Sequence, residues 1–254
     1  MNLNKSKLRQ ILSEKFDGII WKIEMNDKFG LMAIESRIID LKKTSFTVMN
    51  YHTGEVHFKE KIFQEPWNLN LAYIAQKNLI IKGFDQHESL ESKGIISVNI
   101  LNAEILWAHY NLSLNRATDE GLQVYDPRIN PRRYSWISHI NGESILDSEK
   151  VNYPREPVLF PEFIQQSEIP DFLTRAEIIG KPSALSLENH TIICFHEKIT
   201  NKIQQRLLVY QEDTILLDEI LIRDIQKLQP ESFFMVNNYL FYIRNKNEIV
   251  SYFV

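Results

Sequence analysis

The chain has 254 residues, 44% of them apolar and 24% charged, with 29 basic and 33 acidic side chains giving a formal net charge of -4. That is the profile of an ordinary globular protein, and the near balance of charge leaves no concentrated Lys/Arg footprint for duplex nucleic acid. A helix bundle is disfavoured by 33 Ile against 8 Ala together with 14 Phe and 10 Tyr, because β-branched and aromatic side chains suit pleated, half-buried surfaces.

Residues 1–16 read as a polar leader with a short helix, Leu8, Ile11 and Leu12 falling three and four apart. Ser13, Glu14, Lys15 and Asp17 interrupt any signal-peptide core after Lys5, Lys7 and Arg9. No run of about 18 apolar residues occurs anywhere. The lone Cys194 cannot form an internal disulfide and fits a reducing compartment, so a cytoplasmic location with no membrane contact is expected.

From Asp17 onward the periodicity changes to short apolar or alternating runs bounded by Asn, Asp, Lys and Gly, which predict strands. A hairpin recurs three times: Phe46–Phe58 turning at Thr53-Gly54-Glu55, Ile95–Trp107 at Asn102-Ala103-Glu104, and Tyr134–Leu146 at Asn141-Gly142-Glu143. Weaker echoes follow at Leu207–Leu217 and Tyr239–Val254, the last turning at Asn245-Lys-Asn247. Between them lie strand, Asn-bearing turn, strand units at 69–82, 183–195 and 232–243. One such unit plus the following hairpin makes four strands, one propeller blade, at the spacing of 40–50 residues that blades show.

Seven of the nine prolines fall between Pro127 and Pro182, and residues 148–181 read as a Pro-rich, partly helical insertion over one face, with a helix over Ser167–Ile179. Setting aside leader and insertion leaves about 200 residues, enough for about five blades, with six within reach. The whole chain, 1–254, is thus expected to be one all-β β-propeller domain, with an antiparallel β-sandwich or barrel as the alternative. Gly18–Glu24 is expected to close the ring beside Ile249–Val254.

The Asn102-Ala-Glu-Ile-Leu-Trp107 pattern resembles the blades of quinoprotein-like and WD-type β-propellers. Trp21–Glu35 and Asn50-Tyr-His-Thr-Gly-Glu55 are also similar to a Bacteroidetes family that carries a domain-of-unknown-function label. The resemblance implies a fold and a length but no activity. No Trp-Asp dipeptide is present, and one cysteine cannot supply the paired-cysteine motif of the quinoprotein dehydrogenases, so their cofactor is not carried over.

Searching the residues for chemistry eliminates more than it finds. The eight glycines form neither a dinucleotide fingerprint nor a P-loop, and the seven histidines form no zinc-binding repeat. Cys194 and His196 are expected to share a strand face as packing residues, not as metal ligands or a nucleophile. No cofactor and no metal are therefore expected. Asp119, Glu120, Asp126, Asp147, Glu156 and Glu162 could supply a carboxylate pair for glycoside chemistry if the fold brought two together. Trp107 with His109 and Trp136 with His139 read as blade packing.

The most distinctive surface candidate is Tyr125, Arg128, Arg132, Arg133, Tyr134 and Trp136, three arginines and three aromatics within twelve proline-stiffened residues. Guanidinium forks and aromatic faces dominate binding hot spots. If the segment is instead structural, Tyr134 and Trp136 face the blade interior and the arginines pair with Asp119, Glu120 and Asp126. The expected function is a non-enzymatic protein-interaction or scaffold propeller with a protein partner. The alternative is a small-ligand or carbohydrate-binding or -hydrolysing propeller with funnel carboxylates, and convergent carboxylates in a pocket would favour it.

Overall fold

In the computed structural model, which describes residues 8–64, 66–84, 92–146, 157–173, 177–229 and 233–254, the first element is a strand, β1 (Arg9–Lys15). Next, β2 (Ile19–Asn26), β3 (Leu31–Ile38), β4 (Lys43–Asn50) and β5 (Val56–Lys61) form an antiparallel meander. The pattern repeats in β6 (Leu69–Ile74), β7 (Asn78–Phe84), β8 (Ser92–Asn99) and β9 (Ile105–His109), and in β10 (Ser113–Ala117), β11 (Leu122–Tyr125), β12 (Tyr134–Ile137) and β13 (Ser144–Ile145). Two short strands follow, β14 (Val158–Leu159) and β15 (Glu162–Phe163). β15 edges a sheet with β16 (Glu177–Ser186), β17 (Thr191–Ile199), β18 (Lys202–Gln211) and β19 (Thr214–Ile222). Finally β20 (Phe233–Val236), β21 (Tyr239–Arg244) and β22 (Glu248–Phe253) join earlier strands in the order β1-β22-β21-β20-β14.

The fold is therefore all-β, with five antiparallel sheets of four or five strands, each with the strand content of a propeller blade. Contacts gather into two compact units: residues 16–155 hold the first three sheets, and residues 1–15 with 156–254 hold the other two.

Within each unit the core forms between sheet faces. β7 shows why, since Leu79 and Ile81 join Phe46, Val48 and Leu71 in one cluster while Ile80 points the other way to Leu122, Val124 and Ile137. A strand buried on both faces needs an unbroken apolar run, and Leu79-Ile-Ile supplies it. β17 does the same in the other unit: Ile192 and Cys194 pack with Leu240, Tyr242 and Val250, whereas Ile193 and Phe195 pack with Ile169 and Leu173.

The three hairpins recognised in the sequence share one hydrogen-bond plan. The amides of Gly54, Ala103 and Gly142 donate to the carbonyls of Asn50, Asn99 and Ser138 at 2.9, 3.0 and 2.9 Å, and those three residues donate in turn to Glu55, Glu104 and Glu143, each at 2.8 Å. Side chains complete it, because Asn50, Asn99 and Ser138 also accept from the amides two residues on. The fifth turn position has φ of 77°, 59° and 74°, a left-handed conformation that explains Gly at two of the three turns.

Three expectations are corrected. Residues 9–15 are a strand paired with β22 from Arg9↔Phe253 to Lys15↔Glu248, not a helical leader. Partnering by β22 overrides the local three-and-four spacing, and it buries Leu12 while Arg9 and Gln10 stay exposed. Gly18–Glu24 does not close the C-terminal sheet, since β2 pairs with β3. Lastly, the described part of Ser167–Ile179 contains a single 3-10 turn at Gln166–Glu168, followed by a turn at 171–173 and by β16 from Glu177. Pro170 withholds an amide donor just where a helix would have to propagate, and Ile169 and Leu173 bury against β17 without one.

The β1–β22 pairing carries a titratable link. Arg244 holds Glu248 by two bonds, at 2.9 and 2.7 Å, and Ser13 on β1 donates to it at 2.7 Å. The Arg244 bond first, and the Ser13 bond after it, hold the Glu248 carboxyl below its ordinary value. A depressed carboxyl contributes stability that is present above the unfolded-state value and is lost as pH falls through the folded one. Glu248→Gln is thus expected to lower stability near pH 8 and to converge with the parent as pH falls towards 3, flattening the acid limb, as measured by urea denaturation between pH 3 and 8.

Candidate functional site

The first strand of each sheet in the unit of residues 16–155 carries a β-bulge at the same place. Registers skip Trp21 on β2, Ala72 on β6 and Asn115 on β10, each set against a single step on the neighbouring strand. A bulge re-aims the side chain that follows it. Here those side chains are Lys22, Tyr73 and Arg116, and all three line one pocket of about 480 Å³. Lys82 of β7, Glu24 of β2, and Asp119 and Glu120 from the turn after β10 complete its polar wall.

The pocket has two ends. Lys22 donates to the Leu71 carbonyl at 3.0 Å and pairs with Glu24 at 2.7 Å. Lys82 pairs in register with Asn70, and its ammonium feels the charges of Lys22, Glu24 and Glu35. Burial, and then the charge of Lys22, hold the Lys82 ammonium below the usual lysine value. At the other end Asn26 donates to the Ile74 carbonyl at 3.0 Å and to Asp119 Oδ1 at 3.3 Å, and the Tyr73 hydroxyl donates to the same Asp119 oxygen. His139 Nε2 donates to the Asp119 carbonyl at 2.8 Å, with Nδ1 on the far side of the ring. That Nδ1, Asn26 Oδ1 and Glu120 Oε1 are buried without a hydrogen-bond partner among the described residues. Asp119 and Glu120 line the pocket, whereas Asn26 and His139 hold Asp119 from outside the lining.

Behind the pocket stands a buried charge pair. Glu35 is fully buried and meets Arg37 at 2.6 Å, while its other oxygen accepts from the Leu71 amide at 2.7 Å. Arg37 also reaches Asn70 at 2.9 Å and lies 4.6 and 5.3 Å from the rings of Trp21 and Trp67. This lattice ties β2, β3 and β6 together where two of the bulges occur.

The surface candidates separate. Tyr125 is buried, with Tyr134 edge-on at 5.6 Å and Arg132 over its ring at 4.8 Å. Arg128 is turned back onto Asp126 by a two-pronged bond of 2.9 and 2.6 Å, which lowers the Asp126 carboxyl to about 2. Arg133 and Tyr134 are exposed and Trp136 is half-buried. Of the pairings a structural role would give the arginines, Arg128 takes Asp126, while Asp119 and Glu120 line the pocket.

Trp107 donates to the His139 carbonyl at 3.2 Å and His109 Nε2 bonds the Gly142 carbonyl at 2.9 Å, so both clamp the neighbouring hairpin. Cys194 and His196 are buried, the His196 ring accepts from the Gln229 amide at 3.3 Å, and burial lowers its basicity. Glu162 is exposed on β15, and Asp147 and Glu156 lie outside the described residues. Among the described residues no three His, Cys, Asp or Glu side chains gather to hold a metal ion, and no helix is long and apolar enough to cross a membrane. Lys22, Lys82 and Arg116 were missed by sequence reading, because strand residues of these types carry no mark of the register shifts and neighbours that turn them to the pocket.

Residues 25–107 match a family described as a domain of unknown function (DUF4905). The matched segment includes Tyr73 and Lys82 of the pocket but neither Lys22 nor the turn at Asp119. No curated protein matches the sequence. Among solved structures, the crystal structure of BamB from Moraxella catarrhalis aligns over 97% of this chain and 100% of that one, at 9% identity and a TM-score of 0.24, which is too low to carry an argument.

Proposed function

We propose that this chain is a binding module, and that its ligand is a small polar molecule held in the bulge-lined pocket. The observation that carries the reading is the repetition: three successive first strands break register at the same place, and each break aims a polar side chain, Lys22, Tyr73 or Arg116, at one cavity. The volume is within the range of small-molecule sites. Asp119 is held by Tyr73 and Asn26, so the wall is organised before any ligand arrives. The test is a thermal-shift screen against sugars, sugar acids, nucleotides and amino acids. A ligand at about 100 times its Kd adds about 2.7 kcal/mol. A saturable shift that Arg116→Ala removes, with the unliganded Tm unchanged, is the expected outcome. A flat screen, or a shift indifferent to Arg116 and Lys82, overturns it.

A protein partner is the second reading, favoured by the Tyr125–Tyr134–Arg132 stack, which presents an exposed tyrosine already fixed in place. Rigid aromatic anchors lose little entropy on binding. Tyr134→Ala with Arg133→Ala is expected to abolish capture of any partner recovered with the native protein while leaving the thermal midpoint within about 2 °C. Undiminished capture counts against this surface.

A further inference from the structure

We propose that residues 223–229, which follow β19, form a strap across β16, β17 and β18 that the neutral His196 ring latches and that acid releases. The strap contains no strand or helix, and its contacts tie it to each of the three strands. Ile225 is buried, and its amide donates to the Ile203 carbonyl of β18 at 2.8 Å. Leu228 lies against Gly180 of β16, its Cδ1 2.8 Å from where a β-carbon would stand. Gln229 is gripped twice, its carbonyl accepting from the Gln205 side chain at 3.1 Å and its amide donating to His196 Nε2 at 3.3 Å. His196 and Gln205 are register partners on β17 and β18 and both are buried, so one cross-strand pair makes both bonds.

Of these contacts only the last depends on a proton. A ring nitrogen that accepts a hydrogen bond carries no hydrogen, so the bond to Gln229 exists only while His196 is neutral. The imidazolium has an N–H on both nitrogens and would set one of them against the Gln229 N–H. Burial holds His196 below its ordinary value of 6.5, which keeps the ring neutral and the latch closed at neutral pH. Stability from a base depressed in this way is present above the unfolded-state value and is lost as pH falls through the folded one. On the His196 face stand Cys194 and Lys198 of β17 and Glu177 of β16, which is opposite Lys198 in register, while β18 presents Ile203, Gln205 and Leu207. The β16 bulge carries Lys181, and the strap carries Arg223, Asp224 and Lys227, with Asp224 paired to Lys202 at 2.8 Å at an exposed position.

Hydrogen exchange of the full chain between pH 7.5 and 4.5, read by NMR, tests this when each amide is compared with its unstructured rate at the same pH. Protection of the Gln229 amide is expected to fall at least tenfold over that range while the amides of β17 and β18 keep theirs. The His196 ring resonance should titrate with the same midpoint, below 6.5, a comparison that needs no variant. His196→Gln keeps an acceptor that does not titrate and should hold the strap throughout, whereas His196→Phe should leave it loose throughout. Asp224→Asn should keep the parental pH dependence. Three results overturn the latch: Gln229 protection that stays constant while the ring titrates, a ring that stays neutral until the whole unit unfolds, and a pH dependence that survives in either His196 variant or disappears in Asp224→Asn.

Discussion

Replacing Glu35 with Ala should lower the stability of the unit of residues 16–155 by about 3–5 kcal/mol, the usual cost of breaking a buried ion pair from one side. Glu35 is fully buried, and its two oxygens hold Arg37 and the Leu71 amide. Removing the carboxylate strands a guanidinium, nine-tenths buried, between Trp21 and Trp67 and also orphans a backbone donor. At a few degrees per kcal/mol the fall in Tm should be about 10 °C, readable by circular dichroism or calorimetry. The double replacement Glu35→Met with Arg37→Met should recover much of the loss, because apolar side chains of like volume remove both desolvation costs. If Glu35→Ala melts within about 2 °C of the parent, the pair does not hold β2, β3 and β6 in register. The bulge at Trp21 lies beside this pair, so the same variant should also weaken any ligand of the pocket.

Leu12→Ala is expected to cost about 2–4 kcal/mol, the range for truncating a buried leucine whose cavity cannot collapse. Leu12 is almost entirely shielded on a strand that β22 registers from one end to the other. Arg9→Ala on the same strand, at an exposed position, should stay within about 0.5 kcal/mol. A dispensable polar leader would leave both variants at parental stability, so the contrast between them in urea denaturation decides whether residues 9–15 belong to the sheet. Equal and negligible effects would remove β1 from the fold.

Both predictions concern places where local pattern and tertiary structure part company. The repeated hairpin was legible because its causes are local. Thr53-Gly54-Glu55, Asn102-Ala103-Glu104 and Asn141-Gly142-Glu143 encode one turn through a left-handed residue and side-chain bonds two residues apart, and no distant partner is needed. Apolar runs such as Leu79-Ile-Ile and Ile192–Phe195 likewise announce strands buried on both faces, since no other placement hides adjacent side chains of a strand. From these follows the all-β class, whereas the expectation of about five blades, with six within reach, came from chain length.

The site was only half legible. Asp119 and Glu120 could be named among six loop carboxylates, yet nothing in the sequence separated them from Asp126, which the fold gives to Arg128. Lys22, Tyr73 and Arg116 look like ordinary strand residues, because a bulge is a property of two strands in register and not of either alone.

What the sequence by itself determined about this protein is therefore everything that depends on a window of a few residues: strand against helix over most of the chain, the repeated turn, and the absence of known phosphate- and zinc-binding motifs. Tertiary structure alone decided which strand pairs with β22, which proline-rich residues become β14 and β15, and which charges meet in the pocket. Strand pairing joins residues such as Arg9 and Phe253 that lie 244 positions apart. The free energy that selects such a partner comes from burying two whole faces at once, a quantity to which no single segment contributes a readable share.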